Sequence, residues 1–136
     1  MTTNLTTAHF RLPHIPVLLA ATTMSVGAVV PLWNPVAAIR AYGLPDRIAK
    51  SPAAHACFKA YGARSTCFGA AIWIFYLQGK LDAVDTILAL QAYAGAVDAW
   101  VCYSEGVPRT AFSRAVAGLL VGGWGLLGLT QHFARG

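Results

Sequence analysis

The stretch Ile15-Pro16-Val17-Leu18-Leu19-Ala20-Ala21-Thr22-Thr23-Met24-Ser25-Val26-Gly27-Ala28-Val29-Val30-Pro31-Leu32-Trp33 runs for nineteen residues without a charge. A helix needs about 17 to 25 mainly apolar residues to cross a bilayer, so this segment predicts a membrane span. Arg11 ahead of it and its many small residues would also suit a cleaved signal peptide. Its length, and the apolar segments that follow, favour a span. The whole chain has the same character: of 136 residues, 57% are hydrophobic and 11% charged. Soluble domains carry about 25% charged residues, and a chain this short leaves a large share of its surface uncovered. Lipid facing most of that surface removes the shortage of charge.

Working outward, Asn34-Pro35 ends the first span. The connection from Asn34 to Pro52 holds Arg40, Asp46, Arg47 and Lys50. Val36, Ile39 and Tyr42 are spaced to form one face of a short interfacial helix, which Gly43-Leu44-Pro45 would break. Further helices are expected over about 54–77, 82–103 and 110–133. Asn34 could offer a hydrogen bond alongside Thr23, Asp82 or Asp85 could cap the third span, and Thr110 the fourth. The expected fold is therefore all-α: a single domain over 1–136 forming an up-down-up-down four-helix membrane bundle. Gly118 and Gly122 form a GxxxG pair followed by Gly125 and Gly128, suited to close helix packing inside the monomer or to a homo-oligomer contact.

The net charge of +5 raises nucleic acid as a partner, but the cations are scattered beside apolar runs and read as groups facing lipid headgroups. No nucleic acid partner is expected. Arg40, Arg47, Lys50, Lys59, Arg109 and Arg114 fall on one side of a four-span topology, and Arg11, Lys80 and Arg135 on the other. The bias places the first and third loops in the cytoplasm. Cys57, Cys67 and Cys102 read as buried small residues. His9, His14, His55 and His132 read as interfacial or loop residues, and no metal or cofactor is called for.

Charges inside the spans carry the functional reading, because each costs at least about 2.5 to 3.5 kcal/mol in hydrocarbon. Arg64 lies sixteen residues before Lys80 and Asp98 eighteen after it. Folding helices two and three back on each other brings both to nearly equal depth, offset by about 3 Å, which predicts an Arg64–Asp98 ion pair. Gln91, Asp98 and Glu105, spaced by sevens, share one face. With Tyr61, Lys59, Cys57, Cys102, Phe68 and Trp100 they outline a polar slot between the two helices. A purely structural pair that fixes helix register is the alternative.

Three segments in this order, Ala41-Tyr42-Gly43-Leu44-Pro45, Tyr61-Gly62-Ala63-Arg64 and Ala96-Val97-Asp98-Ala99, resemble those of a family of small four-span membrane proteins of fungi and actinobacteria classed as a domain of unknown function. The resemblance covers about residues 30–130. Members often place a polar residue, commonly His, early in helix four; here that region reads Thr110-Ala111-Phe112-Ser113-Arg114. The chain also resembles, in size and character, small hydrolase-like proteins of fungal polyether polyketide clusters, which implies epoxide opening. On this reading the protein is a membrane enzyme acting on a lipophilic small molecule. Asp98 would serve as general base, Arg64 would hold it ionised, and Tyr61 or Glu105 would supply the acid. Gln91, Lys59, Cys102, Phe68 and Trp100 would contact substrate. The rival is a non-catalytic accessory, scaffold or binder of a lipid-like ligand.

Overall fold

The computed structural model describes residues 10–135; His9 lies outside them. The described residues are all-helical, with no strand among them. Helix α1 spans Leu12–Trp33 and contains tight turns over Leu12–His14 and Gly27–Val29. It is followed by two short helices, α2 (Pro35–Tyr42) and α3 (Asp46–Ala49), and then by three long ones: α4 (Pro52–Leu77), α5 (Leu81–Ser104) and α6 (Pro108–Leu126). A seven-residue helix, α7 (Leu129–Arg135), closes the described chain.

The expected fourth helix is thus broken in two. Gly128 takes a φ of +61°, and α7 leaves the line of α6 by 46°. Among the described residues, α1 is long and apolar enough to cross a membrane, and α6 with α7 would join it if the bent pair is one span. Helices α4 and α5 have the length, but their polar residues lower their apolarity.

Two close-packed hairpins make the bundle. Helix α1 lies against α4, where Gly69 meets Ser25 and the Ala21 backbone and Gly62 meets Ala28 and Pro31. Helices α5 and α6 approach more closely still: a Cβ on Gly118 would sit 2.8 Å from the Cα of Gly95. Gly122 and Gly125 continue the seam along Ala92 and Ala89. Small residues allow this approach and bring the two backbones into contact. The Gly118 and Gly122 positions are therefore packed against α5 within the monomer.

One core, of Val17, Ala21, Ile72, Tyr76, Val84 and Leu88, fills the end of the bundle where α1 begins. A second, of Ile39, Leu44, Ala49, Cys102 and Ala111, lies at the far end under the strap made by α2 and α3. Outside these cores the protein is inverted. Large apolar side chains such as Leu19, Val26, Trp33, Tyr93, Trp100, Leu119, Leu120, Leu126 and Leu127 stand exposed around the long helices. Contiguous apolar surface beyond a few hundred Å² is rare on soluble monomers and marks a partner or membrane surface.

The strap is tightly built. The Asn34 side chain accepts from the Ala37 amide at 3.0 Å and starts α2; Thr23 instead bonds back to the Leu19 carbonyl. At the other end Gly43 takes a φ of +100°. The Gly43 amide reaches the Arg40 carbonyl and the Leu44 amide the Ile39 carbonyl, the paired bonds of a left-handed helix stop. A side chain at Gly43 would be strained and would also meet Thr110 at 2.6 Å. Thr110 does not cap α6; its hydroxyl donates to the Gly43 carbonyl at 3.2 Å.

Candidate functional site

The predicted Arg64–Asp98 pair does not form. Arg64 is exposed, and the ion pairs of the described residues are Arg40–Asp46, Arg47–Glu105 and Lys50–Asp46. Equal depth along two helices is only half of the geometry. Arg64 lies two residues from Gly62, which is pressed against α1, and two residues turn a helix by about 200°. Arg64 therefore points away from the bundle. Replacing it by Gln should change the thermal unfolding free energy by no more than about 0.5 kcal/mol, as for other surface substitutions; a calorimetric scan checks this.

Asp98 has other neighbours. Its half-buried carboxylate faces Tyr42 from the strap and Tyr61 from α4. Burial, followed by the nearby Asp98 carboxylate, pushes the Tyr42 phenol well above its ordinary range, so this phenol stays protonated at neutral pH. Hydrogen bonding between the Tyr42 hydroxyl and the Asp98 carboxylate contributes to that shift, and among the described residues Asp98 stands in no ion pair.

The second charge at this site is Arg114 of α6. Its guanidinium stacks on the Tyr42 ring at 3.9 Å from the centroid and donates to the Tyr42 carbonyl at 3.0 Å. Cation–π stacking of this kind favours Arg over Lys. Tyr42, Phe58 and Tyr61 pack edge to face or tilted, with ring centroids 5.4 to 5.9 Å apart. Asp98 and Arg114 both act on Tyr42, Tyr61 and the fully buried Cys102, yet do not pair with each other. The site is thus one carboxylate, two phenols and one guanidinium beneath the strap.

The remaining expected residues lie elsewhere. Glu105 accepts from Arg47 at 2.6 Å, tying α3 to the α5–α6 turn, so it is engaged as an ion-pair partner rather than placed as an acid beside Asp98. Lys59, Cys57, Phe68 and Trp100 are exposed on the outer faces of their helices. Cys67, expected to be buried, is exposed as well. Gln91 is half-buried two turns from Asp98 on α5, on the side where its backbone approaches Gly118.

Sequence reasoning missed Tyr42 and Arg114 as members of the site. The signal for Arg114 was present: it lies eight residues after Gly106 and Asp98 lies eight before it. The hairpin argument applied to the α4–α5 turn, applied to the α5–α6 turn, would have placed Asp98 and Arg114 at one depth.

At the opposite end, His14 is fully buried, contrary to its reading as an interfacial residue. An apolar cleft of about 160 Å³ opens nearby between α1, α5 and α6, lined by residues including Val17, Leu88, Val121 and Trp124. Among the described residues no group of three His, Cys, Asp or Glu is placed to hold a metal.

The fold and site together define a class: small all-helical proteins with an apolar exterior and one compact acid–base cluster under a short strap. The chain belongs to the family described as Domain of unknown function (DUF4267), which matches residues 21–128. Tyr42, Tyr61, Asp98 and Arg114 all fall within the matched region. No curated protein and no solved structure matches the chain.

Proposed function

We propose that the protein is a multi-pass membrane enzyme that performs acid–base chemistry on a lipophilic small molecule, most concretely the opening of an epoxide. The observation that carries this reading is the Asp98 carboxylate, in no ion pair among the described residues and facing the Tyr42 and Tyr61 phenols. The exposed apolar belt supports four spans, formed by α1, α4, α5 and α6 with α7. The cations around the strap and the α5–α6 turn support placing that end in the cytoplasm.

In the reaction, Asp98 accepts a proton from water or from an internal hydroxyl of the substrate. The oxygen so activated forms a bond to an epoxide carbon as that carbon's bond to the ring oxygen breaks. Tyr42 or Tyr61 delivers its phenolic proton to the leaving oxygen, and Arg114 stabilises the phenolate left behind. Transfer of the proton from Asp98 back to the phenolate restores the site. Water yields a diol; an internal hydroxyl yields a cyclic ether, the outcome suited to polyketide chemistry.

The test is to reconstitute the protein in lipid vesicles with long-chain and terpenoid epoxides and analyse products by mass spectrometry. Diol or cyclic ether formation above protein-free vesicles is expected. The apolar cleft favours a second reading, a binder of a lipid-like ligand: retention of the epoxide without conversion would select it over catalysis.

A further inference from the structure

The end of the bundle remote from Asp98 holds a continuous buried chain of polar groups that the proposed chemistry does not use. The His14 ring approaches the Tyr76 hydroxyl with Nδ1 at 2.8 Å and the Thr130 carbonyl with Nε2 at 3.1 Å. A carbonyl only accepts, so Nε2 is assigned the hydrogen. In neutral His14, Nδ1 then accepts from Tyr76. The same peptide unit whose oxygen bonds His14 donates its Gln131 amide to Asp85 at 3.0 Å, and the Thr130 amide donates to the other Asp85 oxygen at 3.2 Å. Asp85 is itself buried. It does not cap its own helix; it caps α7. The Trp124 indole, a wall of the apolar cleft, donates to the Thr130 hydroxyl at 3.1 Å.

We propose that His14 is a proton-operated latch that fixes α7 and, through Thr130, the Trp124 wall of the cleft. The groups of this network set the response. From α4 comes Tyr76, whose hydroxyl bonds His14 and no other described residue. From α5 comes Asp85, the charged member of the network, with both oxygens engaged by α7 amides. From α6 comes Trp124, and from α7 the Thr130 carbonyl and hydroxyl.

Protonation puts a hydrogen on Nδ1, so Tyr76 must turn its own hydrogen away from its partner. The imidazolium is cut off from water in a fully buried site and regains it when α7, which covers the ring through Thr130, lifts away, so the short helix loses its carboxylate. A notch of about 360 Å³ bounded by Gly79, Leu81, Asp82, Gln131, Ala134 and Arg135 opens beside α7. Histidine is the side chain suited to such a response between pH 5 and 8.

Amide exchange across 129–135 and the Trp124 indole resonance, measured on the whole protein in lipid nanodiscs at pH 8 and pH 5.5, test the latch. After correction for intrinsic rates, exchange at Thr130 and Gln131 should rise about tenfold or more on acidification, the scale of losing one buried hydrogen bond. The Trp124 resonance should shift with it. His14→Gln offers one donor and one acceptor like the neutral ring, and should keep α7 protected at both pH values. An unchanged wild-type profile, or an acid response that persists in His14→Gln, overturns the latch. Should that variant fail to fold, the His14 ring titration followed by NMR in the wild type decides: a midpoint that does not coincide with the exchange transition overturns it equally.

Discussion

Asp98→Asn is expected to lower epoxide turnover by about 10² to 10⁴, the usual contribution of a positioned general base, while the protein remains folded. Asparagine keeps the shape of the side chain but cannot take the proton from the nucleophile. Because Asp98 stands in no ion pair, its neutralisation strands no buried partner, so the thermal midpoint should move little. A structural role predicts the reverse: a lowered midpoint with turnover intact. Arg114→Lys sharpens the distinction. Lysine keeps the charge but loses the flat stack on Tyr42 and the directed bond to its carbonyl, so turnover should fall although the formal charge of the site is unchanged. Turnover by product analysis and unfolding by calorimetry, measured side by side in vesicles, separate the two accounts.

Gly118→Val is expected to be the most damaging single substitution in the scaffold. The new side chain would have to enter at the backbone contact between Gly118 and Gly95, where no flexible side chain can move aside. Overpacking commonly costs about 1 to 3 kcal/mol and sometimes more; with two backbones in contact the upper end is expected. Helices α5 and α6 would have to separate, carrying Asp98 away from Arg114. The measurable result is loss of the cooperative unfolding transition in detergent. Gly123→Ala on the same helix is the control, since nothing lies within 4 Å of a Cβ added there. It should be neutral or slightly stabilising, because alanine is the better helix former.

The sequence made the helices legible because long charge-free runs and Gly-Pro punctuation report local chain preference. The starts and ends of α1, α4 and α5 fall within three residues of expectation, and the strap helix was visible in the spacing of Val36, Ile39 and Tyr42. The break between α6 and α7 was not legible, because it depends on a carboxylate from another helix: Asp85 caps α7 across 45 residues of sequence. The site was half legible. Tyr61 and Asp98 are where the charge argument directed attention. Arg64 failed because depth along a helix follows from counting residues, whereas direction around it depends on which face the glycines press against a neighbour. Glu105 failed for a different reason: its partner, Arg47, comes from the strap, whose docking no periodicity within α5 could announce. His14 was misread for want of any local signal; the groups that bury it are 62 and 116 residues away.

The strap also dictates an order of assembly. Gly43 is held by Thr110 and Tyr42 by Arg114, contacts that reach 67 and 72 residues along the chain. During synthesis from the N-terminus, Tyr42 therefore leaves the ribosome long before the groups that anchor it. A nascent chain ending ahead of Thr110 cannot complete these ties, so the site closes only as the last long helix joins its partner. Proteolysis at the Gly43-Leu44-Pro45 bend in stalled chains of increasing length should show protection arriving with that final helix.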